Sequence, residues 1–233
     1  MGLRDLFGSK QGVELGKRDI HNHLLPGVDD GFRNADDSLA AIKRMSDKGC
    51  KEIVFTPHMN PDVYPEMTEA KLKEVYADFK TQIPAEWGVE TWLAAEYMVV
   101  KDFQDRAASG ELLTYKDGSI LIEMSYYFRS ENLEDAIFAL NTEGYKPILA
   151  HPERYLYMAD QLHDFDHLRD MGCRFQMNIL SLSGIYGGES KTIMDYLLSR
   201  EMYDFIATDL HTYSQLDRFE DIKLTRRVRN MLP

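Results

Sequence analysis

The sequence predicts an α/β fold in which seven parallel strands close into a barrel surrounded by helices. Short apolar segments alternate with amphipathic segments along the chain, and regular strand–helix alternation is typical of a parallel sheet covered by helices. Seven such units favour a closed barrel over an open, doubly wound sheet. No GxGxxG or GxxxxGK loop follows a predicted strand, so nucleotide-binding versions of the open sheet lose support.

The first half of the chain contains three strand–helix units. Strands are predicted over residues 17–25, 51–58 and 89–97, which are apolar and rich in β-branched or aromatic residues. Helices are predicted over residues 35–49, 68–83 and 98–110, which have amphipathic spacing. Asn34 and Thr68 have the side chains of N-caps for the first two helices, and Gly49 can end the first.

The second half repeats this order. Strands are predicted over residues 119–126, 146–151, 173–181 and 203–211, and helices over 131–144, 160–172, 190–202 and 221–232. Gly144 can end the helix that precedes it. No low-complexity linker interrupts the chain, so we expect one domain over residues 1–233, with residues 1–16 as an N-terminal extension.

The composition predicts a soluble cytoplasmic protein. The chain is 44% hydrophobic and has a net charge of −12, which makes it a poor partner for nucleic acid or for an anionic membrane. No apolar run approaches the roughly 20 residues that cross a bilayer, and the first residues lack the apolar region of a signal peptide. Cys50 and Cys173 provide no disulfide framework. We therefore expect no nucleic acid partner and no membrane insertion.

Residues of metal-ligating type stand at or near the carboxyl ends of the predicted strands. Parallel strands of a barrel bring these ends to one face. His21 and His23 are two residues apart, as are Asp209 and His211, so each pair can point to one side of its strand. The candidate ligands are His21, His23, His58, Glu96, Glu123, His151, Asp209 and His211. Eight ligands indicate two or three divalent ions of the Zn, Mn or Fe kind.

Some of these residues have a second interpretation. Any one of these histidines, taken alone, could be a hydrogen-bonded core residue and not a ligand. Five of the seven histidines lie at strand ends, however, and this joint pattern favours metal binding. Glu123 fits a ligand or a carboxylate that orients a ligand. Asp29 and Asp30 fit a simple turn, or Asp30 orients a ligand histidine or a water.

Six segments together resemble the PHP (polymerase and histidinol phosphatase) superfamily, and more narrowly its CpsB/YwqE-type bacterial tyrosine-protein phosphatases. They are "DIHNHLLPGVDDG", "FTPHMNPDVY", "AAEY", "LIEMS", "LAHPERY" and "ATDLH", between about Arg18 and His211. The resemblance implies a distorted seven-stranded (β/α) TIM-like barrel (the PHP fold) and a trinuclear site, often with manganese, held by the eight residues above. It also implies that Arg154 matches the arginine of an HxxR motif.

The resemblance implies a partner as well. Members dephosphorylate the phosphotyrosine tail of a bacterial tyrosine kinase that controls capsule or exopolysaccharide export, and they form homo-oligomers. The family usually places an arginine soon after the DxH motif. Here Leu216 stands roughly at that position, and Arg218 is the nearest substitute. Arg154, Arg218 and Asp30 are thus the candidate catalytic residues, and the two arginines are the candidate substrate-binding residues.

The implied reaction is hydrolysis of a phosphate monoester. A hydroxide held by the metal ions would attack phosphorus in line, and Arg154 would bind phosphate oxygens with two parallel hydrogen bonds. A phenolate leaving group, with a pKa of about 10, needs less help from an acid than an alkoxide, which favours phosphotyrosine. A cysteine-dependent phosphatase is excluded because Thr56 and Ile179 occupy the positions where its arginine would follow Cys50 and Cys173.

Three rival functions and one structural alternative stay open at this point. A histidinol-phosphate phosphatase of the same fold would have nearly the same ligands. An exonuclease-type domain fits poorly, since the chain is acidic. A non-catalytic, metal-bound scaffold is favoured by the missing arginine after DxH and disfavoured by the complete ligand set. Arg154 could instead form a surface salt bridge beside Glu153.

Overall fold

Parallel strands alternate with helices along the chain, as predicted. The structure is a computed structural model that describes residues 16–101, 103–219, 222 and 228. In chain order the elements are β1 (Arg18–Asp19), α1 (Ala35–Asp47), β2 (Glu52–Phe55), β3 (His58–Met59), α2 (Glu69–Lys80), β4 (Glu90–Leu93), β5 (Glu96–Met98), α3 (Phe103–Ala108), β6 (Ser119–Glu123), α4 (Leu133–Thr142), β7 (Lys146–Ala150), α5 (His163–Asp170), β8 (Arg174–Asn178), α6 (Gly187–Ser199), β9 (Tyr203–Ala207) and α7 (Gln215–Phe219). The α/β class is confirmed.

The strands form two parallel sheets, one of order β1-β2-β4 and one of order β3-β5-β6-β7-β8-β9. Two predicted strands are each divided between the sheets, the second into β2 and β3 and the third into β4 and β5. The second divides at Pro57, which has no backbone N–H to donate to a ladder. Hydrogen bonds still link neighbours across the divisions, because Ala94 N donates to Phe55 O (2.9 Å) and Glu96 N to Pro57 O (3.0 Å).

The beginning and the end of the described chain lie side by side. Asp209 N donates to His21 O (2.8 Å), and His23 N donates to Leu210 O (2.9 Å). An isolated parallel bridge also joins Asn22 to Leu210. The predicted first strand over residues 17–25 is wrong in extent, since β1 contains only two residues. Closure of all strands into one seven-stranded barrel stays a prediction.

Local sequence signals account for the helix starts. The side-chain oxygen of Asn34 accepts a hydrogen bond from Asp37 N (2.9 Å), and that of Thr68 accepts one from Lys71 N (3.2 Å), which confirms both predicted N-caps. The predicted helix over 98–110 is wrong at its start, since Met98 belongs to β5 and α3 begins at Phe103. The predicted helix over 221–232 lies outside the described residues apart from 222 and 228, and so does the predicted extension except Gly16.

Two apolar clusters form the core. The larger lies between strands and helices and includes Ala41, Ile42 and Met45 of α1 and Ile193 and Leu197 of α6. The smaller draws residues from both sheets: Ile20, Val54, Ala94, Tyr115, Leu121, Ile148, Ala150 and Ala207. Because side chains alternate along a strand, residues two positions further on, such as Glu96, Glu123 and Asp209, continue the same side beyond the small core.

Candidate metal centre

All eight predicted ligands lie together at the carboxyl ends of the strands. Six of them are buried, with at most 2% of their surface exposed: His21, His23, Glu96, Glu123, His151 and Asp209. His58 and His211 are partly exposed and face the opening of the site. The period-two relation that carries Ala94 to Glu96 and Ala207 to Asp209 explains why these carboxylates meet above the small apolar core.

The ligand atoms form four overlapping groups, in each of which all of them lie within 4.8 Å of one another. The groups are His23, Asp30, His58 and His211; His21, His23 and Glu96; His21, His151 and Asp209; and His58, Glu96 and Glu123. Glu96 belongs to two groups, and its two carboxylate oxygens can serve different ions. Imidazole and carboxylate together suit Zn, Mn or Fe. The arrangement can therefore hold several divalent cations.

Buried atoms without hydrogen-bond partners test whether this donor set fits a metal. Within the described part of the chain, Glu96 Oε2, Asp209 Oδ1, His58 Nδ1 and His151 Nδ1 are buried and make no hydrogen bond. Glu96 Oε2 lies 3.3–3.4 Å from the Nε2 atoms of His21 and His23. Unpaired buried polar atoms are costly, and a cation between them would satisfy them. The residues present fit divalent metal ions.

The buried carboxylates of the centre also favour positive charge beside them. Burial opposes a charge on His21, but the carboxylates of Glu96 and Asp209 outweigh burial and raise the pKa of His21. Burial raises the pKa of Glu96, but His21 and His58 lower it well below its usual range. The raised pKa of His21 favours a proton on this histidine when no metal is bound. Metal binding therefore displaces protons from this cluster.

Two residues orient the histidines. Asp29 Oδ2 lies 2.8 Å from His23 Nδ1, and Gln176 Oε1 lies 2.7 Å from His21 Nδ1. An acceptor at Nδ1 holds the proton there and leaves Nε2 free to bind a metal. Burial opposes the charge of Asp29, but His23 lowers the pKa of the carboxyl to about 2.

Sequence reasoning missed both orienting residues. It offered Asp30 for this role, with a simple turn as the alternative, whereas Asp29 makes the contacts with His23 Nδ1 and His58 N. A role for Asp30 in orienting a ligand histidine or a water stays a prediction. The Asp30 side chain is 61% exposed, and its Oδ1 lies 3.4 Å from His58 Nε2. The adjacent acids gave no sign of which one points inward. Gln176 was overlooked because only histidines and acids were counted at strand ends, although β8 also ends there.

Arg154 lies beside the ligands. Its NH1 donates to Asp209 Oδ2 at 2.6 Å, and its guanidinium carbon lies 4.4 Å from the ring centre of Tyr126 and 4.8 Å from that of Tyr186. The alternative of a surface salt bridge beside Glu153 is wrong, because Arg154 pairs with the buried carboxylate of Asp209. Glu153 is buried, and its carboxylate accepts hydrogen bonds from Ser181 Oγ and Asn178 N, among others.

The segment after the DxH motif forms α7. Gln215 Oε1 accepts a hydrogen bond from His211 N (2.6 Å), so the helix begins directly beside the metal centre. Leu216, which stands where the resemblance places an arginine, is buried. This is the usual position of an apolar side chain. Arg218 is exposed on α7, and its assignment as a catalytic and substrate-binding residue stays a prediction.

Backbone strain marks two of the ligands. His151 has φ 33° and Asp209 has φ 50°, in the left-handed region that side chains other than glycine rarely adopt. Such conformations cost about 1–3 kcal/mol each. They turn the chain sharply at the ends of two strands, which brings both side chains into the cluster.

The two cysteines are not among the residues of the candidate metal centre. Cys50 and Cys173 are buried and free, and burial raises the pKa of each thiol to about 12. Neither is a thiolate at neutral pH, which agrees with the exclusion of a cysteine-dependent phosphatase.

A comparison with known families agrees with this geometry. A model of the family described as capsular polysaccharide synthesis, CpsB/CapC, matches residues 17–228. The chain belongs to this family. Tyrosine-protein phosphatase YwqE of Bacillus subtilis is 29% identical over 194 residues, which cover 83% of this chain and 76% of that protein. Tyrosine-protein phosphatase CpsB of Streptococcus pneumoniae is 28% identical over 201 residues, 83% of this chain and 82% of that protein.

Solved structures give the same result. A chain from the crystal structures of YwqE and CpsB, described as unique metal-dependent tyrosine phosphatases, has a TM-score of 0.79 at 26% identity and covers 92% of this chain and 90% of its own. A phosphotriesterase homology protein from Escherichia coli shares the fold alone, with a TM-score of 0.56 at 12% identity over 94% of this chain and 96% of its own.

These findings confirm two predictions about this CpsB/CapC family member. It resembles the CpsB/YwqE-type phosphatases over most of its length, and it is an enzyme of the phosphoric monoester hydrolase class. Among the described residues, every helix is too short or too polar to cross a bilayer.

Proposed function

We propose that this protein is a metal-dependent phosphatase that removes phosphate from tyrosine side chains of a protein substrate. The observation that carries the proposal is the cluster of eight buried or half-buried His, Asp and Glu side chains with Arg154 at its edge. A non-catalytic scaffold would need neither the complete set of donors nor a guanidinium beside them.

The eight predicted residues would hold two or three divalent ions, which we propose are manganese, with iron or zinc also compatible with these donors. Asp30, which shares a group with His23, His58 and His211, would contact an ion or its water at the opening. When bound, the ions supply an acidified water and positive charge at the phosphate oxygens. Arg154 would bind two of those oxygens, and its contact with Asp209 fixes the direction of the guanidinium.

The choice of phosphotyrosine rests on two supports. The relatives YwqE and CpsB are tyrosine-protein phosphatases, and a phenolate leaves more readily than an alkoxide because it needs less help from a proton donor. The tail of a tyrosine kinase that controls capsule or exopolysaccharide export is the substrate that we propose. We assign Arg218, exposed at the outer end of α7, to the part of the substrate beyond Arg154.

The architecture that we propose is one PHP domain over residues 1–233 in which the two sheets act as one distorted seven-stranded barrel. Three observations support closure: the hydrogen bonds between residues 21–23 and 209–210, the hydrogen bonds that span the divided strands, and the small core to which both sheets contribute. A cytoplasmic location and a homo-oligomeric state are further parts of this proposal.

The test is phosphate release from a phosphotyrosine peptide and from histidinol phosphate by protein loaded with manganese, with and without a chelator. We expect chelator-sensitive release that favours the peptide and is unaffected by thiol alkylation. Preference for histidinol phosphate would assign the protein to small-molecule metabolism. No release from either compound by fully metal-loaded protein would contradict the phosphatase proposal and support the scaffold.

A further inference from the structure

Tyr126 is a residue of the centre for which the proposed function has no role. It lies three positions after the ligand Glu123, in the loop that follows β6, and 39% of its surface is exposed. Its hydroxyl oxygen lies 3.3 Å from His151 Nε2, and its ring lies 4.4 Å from the guanidinium carbon of Arg154. Tyr126 therefore contacts a metal ligand and the phosphate-binding arginine at once.

The loop that carries Tyr126 is fixed to the segment that carries Arg154. Met124 N donates to the Tyr155 hydroxyl (3.0 Å), and the Tyr157 hydroxyl donates to Ser125 O (3.0 Å). The rings of Tyr126 and Tyr155 are stacked, with centres 6.2 Å apart. These contacts hold the hydroxyl of Tyr126 at a set position relative to Arg154, so the pair is arranged before a substrate arrives.

The proton of this hydroxyl has no acceptor on His151. The Tyr126 oxygen lies 3.3 Å from His151 Nε2, but the same nitrogen lies 3.0 Å from Glu96 Oε1, and a carboxylate oxygen can only accept a hydrogen bond. His151 Nε2 therefore donates to Glu96, or it would bind a cation in the group that His151 forms with His21 and Asp209; in neither case does it accept from Tyr126. Because a phenol keeps its proton at neutral pH, the Tyr126 hydroxyl can donate to a ligand that lies beside Arg154.

We propose that Tyr126 is a substrate-binding residue whose hydroxyl donates a hydrogen bond to a non-bridging oxygen of the phosphoryl group. Its ring packs against Arg154, so the two side chains contact the same group from one side of the site. This inference rests on the proposed phosphatase function. It gives the centre a second hydrogen-bond donor to phosphate besides Arg154. The neighbouring Tyr127 is exposed to solvent and has no such role.

The test compares Tyr126→Phe, which keeps the ring and removes the hydroxyl, with Tyr127→Phe, whose side chain is 89% exposed. Hydrogen bonds to charged groups correspond to about 10- to 100-fold, so we expect kcat/KM for a phosphotyrosine peptide to fall by that factor in Tyr126→Phe alone. We also expect the Kd of orthophosphate, measured by calorimetry on manganese-loaded protein, to rise about 10-fold. Metal content and melting temperature should stay at the wild-type values.

A second substrate locates the hydrogen bond. The loss of kcat/KM in Tyr126→Phe should be equal for the peptide and for 4-nitrophenyl phosphate, whose phenol is more acidic. A larger loss with the peptide would place the bond on the leaving oxygen and overturn the assignment. Reduced metal content would show that Tyr126 only supports His151, which also overturns it, as would wild-type phosphate binding. If the wild-type protein does not hydrolyse the peptide, the proposed function fails, but the orthophosphate titration still decides the role of Tyr126.

Discussion

Asp29 illustrates how one side chain can set the geometry of a whole centre. Its Oδ2 contacts His23 Nδ1 (2.8 Å) and accepts a hydrogen bond from His58 N (3.0 Å), while its Oδ1 accepts one from Gly31 N (2.9 Å). One carboxylate thus fixes the ring of His23, the backbone of a second ligand and its own turn. Residues of this kind are usually as important for metal affinity as the ligands that they orient.

We expect Asp29→Asn to weaken metal binding by about 10- to 100-fold, the usual effect of removing a group that orients a ligand. The amide retains the shape of the carboxyl but loses the charge that holds the proton on His23 Nδ1. Competition with a chromogenic chelator measures the affinity. The matched control is Asp62→Asn, which changes an exposed acid; equal affinities of the two variants would contradict this role for Asp29.

At the scale of elements, the turn between β1 and α1 holds the first two ligands. Phe32 N donates to His23 O (3.1 Å), and Gly27 N donates to Phe32 O (2.8 Å). A Cβ atom added at Gly31 would lie 2.2 Å from His23 O and 2.5 Å from His23 Cβ. Only glycine allows the turn to pass this close to a metal ligand.

Gly31→Ala should therefore destabilise the protein by about 1–3 kcal/mol, the cost of forcing a methyl group into a packed site, and should lower the metal content after purification. Denaturant unfolding and metal analysis measure the two effects. Gly188→Ala is the control, because nothing lies within 4 Å of an added Cβ at that position of α6. A Gly31→Ala protein as stable as this control would show that the turn can move away from His23.

The sequence predicts these elements well where local signals decide, and less well where tertiary pairing does. The N-caps Asn34 and Thr68 are readable because the side-chain oxygen and the backbone N–H that donates to it lie three residues apart. The predicted helix from residue 98 failed because Val99 N donates to Glu123 O, a pairing with β6 that overrides the helical pattern. The convergence of the eight histidines and acids was predictable from their residue types at strand ends, and their role as metal ligands stays a prediction. The choice between Asp29 and Asp30 depends on a turn conformation that no local pattern fixes.

At the scale of the whole molecule, the candidate metal centre brings together residues from the two parallel sheets. Its ligands follow strands of both sheets, and its buried carboxylates are offset by histidine protons, by the guanidinium of Arg154 beside Asp209, or by bound cations. Two ligands, His151 and Asp209, adopt strained backbone conformations. Buried atoms that make no hydrogen bond and strained backbone thus lie at one place, and bound ions would satisfy those atoms.

We expect chelation to lower the melting temperature by about 8–16 °C. Ions at a free concentration of about 1,000 times Kd stabilise a native protein by about 4 kcal/mol, and each kcal/mol shifts the melting temperature by about 2–4 °C in a chain of this size. Scanning calorimetry with and without the chelator measures the shift, and the same chelator saturated with manganese is the control. An unchanged melting temperature would contradict a structural contribution of the ions.

Asp19 pairs with Thr208, 189 residues later in the chain, so this contact can form only late in synthesis of the protein on the ribosome. Translation at about 5–20 residues per second leaves about 10–40 s between the appearance of the first histidines and that of Asp209 and His211. Throughout that interval His21 and His23 belong to an unfinished chain whose first strand lacks one neighbour. Any ion that they bind early is one that the completed centre must either incorporate or release.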